Sequence, residues 1–203
     1  MRQGKEMNRG LAAVLFIALL AVAAAVDAAQ DTALRSGVFK PSRPAPDFSL
    51  RGSDGAELKL SRYRGKVVAL GFGFTSCPEV CPTTLTRLAR AQEKLGAVNR
   101  KFQVIYVTVD PQRDSPERLH KYLTAFDPSF VGGTGTPEQL AQVRAAYGVF
   151  ATKQSLGGNS SEYSVHHSSS IYLIDPQGNL RAMMPYGGTP DDLVHDVRVL
   201  LEN

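Results

Sequence analysis

The two cysteines of the chain stand four residues apart, as Cys77 and Cys81 in the segment 73–82 (GFTSCPEVCP). An apolar segment precedes them, and a segment with helical periodicity follows. Two thiols at this spacing near the start of a helix form either a redox couple or two ligands for a soft metal ion. Residues four apart on a helix have Cα atoms about 6 Å apart, which permits a disulfide and also lets both sulfurs bind one ion. Spacing alone therefore leaves both chemistries open.

The composition is that of an ordinary folded protein, with 43% apolar residues, 21% charged residues and a formal net charge of +4. Lys and Arg are scattered rather than clustered, so we expect no binding to nucleic acid. The length of 203 residues suffices for one domain with a full core.

The N-terminal part predicts export. Residues 1–29 begin with scattered positive charges and continue into the apolar stretch 11–26, which is typical of a signal peptide or of an N-terminal membrane anchor. We therefore expect a periplasmic or other extracytoplasmic location, with membrane association through residues 11–26 if the segment is retained. The proline-containing segment 30–46 predicts a flexible tether, and residues 47–203 predict the folded domain.

Hydrophobic periodicity predicts an alternation of strands and helices after a short N-terminal strand and turn. The strands are predicted over residues 67–74, 102–109, 169–174 and 179–186. The helices are predicted over residues 82–95, 115–126, 137–147 and 190–201, and residues 151–162 form a polar loop. This order is the thioredoxin-like arrangement, an α/β fold with a central mixed sheet flanked by helices and an N-terminal strand and hairpin extension.

The topology predicts that distant residues meet at one edge of the sheet. The strands predicted over residues 67–74 and 102–109 should be parallel and joined by a right-handed crossover. Their carboxyl ends therefore lie at the same edge of the sheet. The strand at 169–174 should be antiparallel to them, so it begins at that edge. The two cysteines, Asp110 and the pair His166-His167 should therefore lie close together.

Two thiolates and an imidazole are a donor set that suits copper, whereas a closed zinc site needs a fourth ligand. No further cysteine exists, and His120 and His195 lie on the polar sides of their helices. Asp110 either forms the turn after its strand or orients a ligand or a partner.

Three segments, in the family's order, strongly resemble the Sco/SenC family of copper-delivery proteins. They are residues 72–82 (FGFTSCPEVCP), 109–116 (VDPQRDSP) and 163–178 (YSVHHSSSIYLIDPQG). The resemblance implies a thioredoxin-like protein that binds one copper ion, Cu(I) or Cu(II), through Cys77, Cys81 and His167. His166 stands where the family often has an acidic or polar residue. We expect His166 and Asp110 to be groups that neighbour the metal ligands rather than ligands themselves.

The resemblance also implies a function. As a copper chaperone, the protein would deliver copper to the binuclear copper centre of cytochrome c oxidase; its partners would be the copper-accepting oxidase subunit and a periplasmic copper donor. The alternative is an enzyme, a thiol–disulfide reductase that maintains the metal-binding cysteines of an oxidase subunit, in which Cys77 attacks and Cys81 resolves. Thioredoxin-like reductases usually have a cis-proline before the strand facing the thiols, where this chain has Ser169-Ser170, and this difference favours the metal site.

Overall fold

The computed structural model describes residues 33–155, 157 and 163–202. The predicted signal or anchor segment at residues 1–29 lies outside the described residues. Within them the strands are β1 (Gly37–Pro44), β2 (Ser49–Gly52), β3 (Glu57–Lys59), β4 (Val67–Gly73), β5 (Phe102–Thr108), β6 (Val131–Thr134), β7 (Ala151–Ser155), β8 (Tyr163–His167), β9 (Ile171–Ile174) and β10 (Asn179–Met184). The α-helices are α1 (Val80–Lys94), α2 (Pro116–Thr124), α3 (Pro137–Tyr147) and α4 (Pro190–Glu202). Two short 3₁₀ helices cover Leu60–Tyr63 and Gly96–Lys101.

The centre of the fold is a mixed sheet in the order β1-β10-β9-β4-β5-β6-β2-β3. Strands β4 and β5 are buried along their whole length, as their continuous apolar sequences require, and they pair in parallel. Strand β9 pairs antiparallel with β4, as predicted. The thioredoxin-like fold, with the predicted N-terminal hairpin now seen as the β2–β3 pair, is thereby confirmed.

Local sequence signals mark the first residues of two of the helices. Helix α2 follows Ser115, whose hydroxyl accepts a hydrogen bond from the Arg118 N–H, and has proline at its first position. Helix α3 follows Thr136, which forms a reciprocal capping box with Gln139. Such caps satisfy amide groups that a helix start leaves without an internal partner.

The tether predicted over residues 30–46 is wrong from residue 34 onward. The compact unit begins at Leu34, and Gly37–Pro44 form β1, which pairs with β10 at the edge of the sheet. The backbone N–H groups of Arg35 and Ser36 donate to the buried carboxylate of Asp196, at 2.7 and 3.0 Å. A polar, proline-containing segment can occupy an edge strand because one of its sides needs no partner.

One further prediction needs correction, and one strand of the main sheet was not predicted. The loop predicted over residues 151–162 contains β7, which pairs with β8 in a separate two-stranded sheet. Strand β6 went unpredicted, because its sequence, VGGT, has two glycines and no alternation.

None of the helices within residues 33–155, 157 and 163–202 is long and apolar enough to span a membrane, which takes about 20 predominantly apolar residues.

Candidate metal centre

The cysteine loop connects the buried strand β4 to helix α1. The helix begins at Val80, two residues before the predicted start at residue 82, so Cys81 is its second residue and Cys77 precedes it in the loop. The Cys81 N–H donates to the Cys77 Sγ at 3.4 Å. This amide is one of those that a helix N-terminus leaves unpaired, and its positive end favours negative charge on the Cys77 sulfur.

The two sulfurs have different environments. Both cysteines are free, but Cys77 is partly exposed whereas Cys81 is only 1% exposed. Burial raises the pKa of the Cys81 thiol to about 12, and a hydrogen bond from the Tyr106 hydroxyl is the largest effect in the opposite direction. Cys77 is thus the sulfur that an incoming group can reach, and Cys81 is the inner one.

His167 reaches the inner sulfur from the last position of β8. Its Nε2 lies 3.6 Å from the Cys81 Sγ, and its Nδ1 lies 2.8 Å from the Ser168 carbonyl oxygen. Because a carbonyl only accepts, Nδ1 carries the hydrogen and the Nε2 lone pair faces the sulfur. Burial lowers the pKa of His167, which favours the neutral ring. The ring also packs edge-to-face against Phe74, with centroids 5.8 Å apart.

His166 is placed differently from His167. Successive side chains of a strand point to opposite faces, so the two rings of β8 cannot share one environment. The structure leaves His166 exposed, opposite Thr152 of β7, and brings His167 to the sulfur.

Asp110 is fully buried at the end of β5, and its carboxylate has three partners within the described residues. The Tyr163 hydroxyl donates to Oδ1 at 2.7 Å, the Arg113 Nε donates to Oδ2, and the Lys153 ammonium lies 3.8 Å from Oδ1. None of these contacts reaches a cysteine or His167. The role of Asp110 beside the metal ligands therefore stays a prediction.

Asp114 is the second fully buried carboxylate here, and it supports the cysteine loop. It accepts hydrogen bonds from the Thr75 N–H at 3.1 Å, from the Thr75 hydroxyl at 2.6 Å and from the Thr108 hydroxyl at 2.6 Å. Hydrogen bonds to a carboxylate are stronger than those between neutral groups. Asp114 therefore holds the loop two residues before Cys77.

Sequence reasoning missed Tyr106 as a site residue. It occupies an interior position of β5 in a continuous apolar sequence, where an aromatic residue predicts core packing and nothing more. The sequence feature that could have indicated it is the pair of glycines, Gly71 and Gly73, on the neighbouring strand β4. A Cβ at either position would collide with the Tyr106 ring, so the glycines leave room for that ring beside Cys81.

The donor set consists of two sulfurs and one imidazole nitrogen, which fits a soft or borderline metal ion such as copper. Of the three, Cys81 and His167 already face each other, and Cys77 lies at the adjoining helix terminus. In the part of the chain that the structure describes, no three side chains of His, Cys, Asp or Glu already form a metal cluster.

The fold and the site together define a thioredoxin-like protein with a C-x3-C dithiol and a facing histidine. The sequence profile of the SCO1/SenC family matches residues 39–202. The chain belongs to this family.

Three similar proteins illustrate the relationship. The SCO2-like protein RC0895 of Rickettsia conorii is 32% identical over 152 residues, which cover 75% of this chain and 74% of the relative. The crystal structure of Arabidopsis thaliana ScoI with copper bound has a TM-score of 0.71 and 32% identity, covering 78% of this chain and 99% of that one. BsSco, a member of the Sco family of cytochrome c oxidase assembly proteins with a disulfide switch, has a TM-score of 0.62 and 25% identity, covering 80% and 95%.

Proposed function

We propose that this protein is a copper metallochaperone. It binds one copper ion through Cys77, Cys81 and His167 and delivers it to the binuclear copper centre of cytochrome c oxidase. The observation that carries the proposal is the 3.6 Å approach of the His167 Nε2 to the Cys81 Sγ, between residues 86 positions apart in the sequence. The copper-bound relative from Arabidopsis and the oxidase-assembly relative BsSco support the choice of metal and of recipient.

The environments of the three donors suggest how the ion enters and leaves. Thiols bind metal as thiolates, so binding releases the proton that burial keeps on Cys81 at neutral pH. His167 needs no deprotonation because its Nε2 lone pair is already free to bind. Cys77 is the more accessible of the two sulfurs, so thiolate exchange with an acceptor begins there. The thiolates favour Cu(I), and the imidazole also accommodates Cu(II).

The experiment compares His167→Ala with His166→Ala, a matched control one residue away. Copper affinity is measured by anaerobic competition with a chromophoric Cu(I) chelator, and dithiol–disulfide exchange is measured in the same preparations. We expect His167→Ala to weaken copper binding by more than the roughly 10- to 100-fold produced by losing a partner of a metal ligand. Disulfide exchange should persist in both variants. Equal copper affinities in the two variants would refute the site.

A thiol–disulfide reductase is the second candidate, favoured by a partly exposed Cys77 beside a buried Cys81. The Cys77 thiolate would attack a target disulfide and release one target thiolate. Cys81 would then attack the mixed disulfide, release the second target thiol and leave a Cys77–Cys81 disulfide. An external dithiol would have to reduce that disulfide for another cycle. Restoration of oxidase assembly by His167→Ala would favour this candidate over the chaperone.

The proposed location is extracytoplasmic. It rests on the charged start and apolar stretch of residues 1–29, which would serve as a signal or as a membrane anchor. The domain division that goes with it starts the copper-binding domain at residue 34 rather than at residue 47.

A further inference from the structure

The ligand His167 lies on a part of the fold that the main sheet does not hold. Among the residues that the structure describes, strands β7 and β8 pair only with each other, in a sheet of their own. The position of His167 relative to the cysteines therefore depends on the chain connections to α3 and β9 and on the contacts of this strand pair with the rest of the domain. Tyr163, Val165 and His167 alternate along β8, so they share the face that carries those contacts.

Tyr163 makes the most direct of these contacts. Its hydroxyl donates to the buried Asp110 carboxylate at 2.7 Å, and its carbonyl accepts from the Arg113 Nη1 at 3.2 Å. The Arg113 guanidinium also lies 4.0 Å from the centroid of the Tyr163 ring. One residue of β8 is thus bound through its hydroxyl, its ring and its backbone to the loop that follows β5.

The facing strand β7 is bound to the same loop. The Lys153 ammonium donates to the Gln112 Oε1 at 2.6 Å and lies 4.4 Å from the Tyr163 ring centroid. It also lies 3.8 Å from Asp110. Among the described residues, three side chains contact the Asp110 carboxylate. Tyr163 and Lys153 belong to the β7–β8 pair, and Arg113 donates a hydrogen bond to the Tyr163 carbonyl.

The other end of this loop holds the cysteines. Asp114 accepts hydrogen bonds from the N–H and the hydroxyl of Thr75, which lies two residues before Cys77. Arg113 stacks on Phe74, with its guanidinium carbon 5.5 Å from the ring centroid, and Phe74 in turn contacts His167. Five consecutive residues, 110–114, thus contact both segments that carry the proposed metal ligands.

We propose that residues 110–114 form a clamp that sets the distance between Cys81 and His167, and that Tyr163 is the positioning residue through which the clamp acts on His167. The clamp orders the third ligand before the metal arrives, so binding does not have to supply the ordering free energy of the strand pair. This inference deepens the proposed function and rests on His167 being a copper ligand.

The variant that tests the clamp is Tyr163→Phe, which removes only the hydroxyl bound to Asp110. Tyr186→Phe is the matched control, because Tyr186 is 48% exposed and stacks on Arg87 away from the clamp. We expect Tyr163→Phe to weaken copper binding about tenfold, the lower end of the range for an outer partner of a metal ligand. Tyr186→Phe should bind copper like the wild type.

A double-mutant cycle with His167→Ala separates positioning from a general structural effect. If Tyr163 acts only through His167, Tyr163→Phe has no further effect on residual copper affinity in the His167→Ala background. A purely structural role for Tyr163 would weaken binding by the same factor in both backgrounds, and that result would overturn the proposal.

Hydrogen exchange of the metal-free protein gives a readout that does not depend on copper. In Tyr163→Phe, the amides of β7 and β8 should exchange about tenfold faster, as expected when one hydrogen bond to a charged group is lost, while those of β4 and β5 stay unchanged. Unchanged exchange in the strand pair would refute the clamp. Unchanged copper affinity in His167→Ala would instead refute the proposed ligand set, so the two failures are distinguishable.

Discussion

The hydrogen bond between Tyr106 and Cys81 depends on the absence of a side chain at Gly73, the last residue of β4. A methyl group there would overlap the Tyr106 hydroxyl, and its carbon would lie 2.6 Å from the Tyr106 Cζ and 2.8 Å from the Cys81 Sγ. Favourable carbon contacts lie at about 3.5–4.0 Å, so Gly73→Ala forces a buried ring or the inner sulfur to move. Overpacking of a core costs about 1–3 kcal/mol, and the lost hydrogen bond adds about 1 kcal/mol. We expect a total loss of about 2–4 kcal/mol in the free energy of unfolding.

The assay is urea unfolding of the reduced, metal-free protein, with the free energy obtained by linear extrapolation. Gly37→Ala in β1 is the control, because its added Cβ would meet only one backbone oxygen, at 3.3 Å. Tyr106→Phe completes a double-mutant cycle. Since both changes abolish the same hydrogen bond, the double variant should lose about 1 kcal/mol less than the sum of the single losses. A Gly73→Ala protein within about 0.5 kcal/mol of the wild type, the usual range for harmless substitutions, would refute the reasoning.

Two further predictions concern the inner thiol and the support of the cysteine loop. Because burial raises the pKa of Cys81 to about 12, the unfolded state loses its proton near the ordinary value of 9.0 while the folded state keeps it. The free energy of unfolding should thus fall as pH rises from 9.0 to about 12. Cys81→Ala should flatten this dependence in urea unfolding, and an identical pH profile would contradict it. Asp114→Ala should lower the free energy of unfolding by about 3 kcal/mol, because it leaves the buried Thr108 hydroxyl and the Thr75 amide without their partner. A loss below about 1 kcal/mol in the same assay would show that the loop is held by other contacts.

Much of the fold was predictable because its signals are local. The buried strands β4 and β5 are continuous apolar segments, and Pro137–Tyr147 has a capping threonine, a proline at its first position and a glycine after its end. Strands β1 and β7 were not predictable in this way. Their side chains are largely exposed, so their strand structure depends on pairing with β10 and β8 rather than on an alternating apolar pattern.

The sequence by itself determined which groups are available for chemistry: two thiols at helical spacing and a distant pair of histidines. It also determined an order of elements that places these groups at one edge of the sheet. These properties follow from residue types and their spacing, which can be read directly from the sequence. Only the tertiary structure decided which imidazole meets the sulfur, because that depends on which face of β8 turns toward the domain. It also decided that Tyr106 lies beside Cys81 and that the Asp110 carboxylate contacts Tyr163 and Lys153 of the strand pair. Such contacts join residues far apart in the chain and exist only once the sheet and its separate strand pair have packed together.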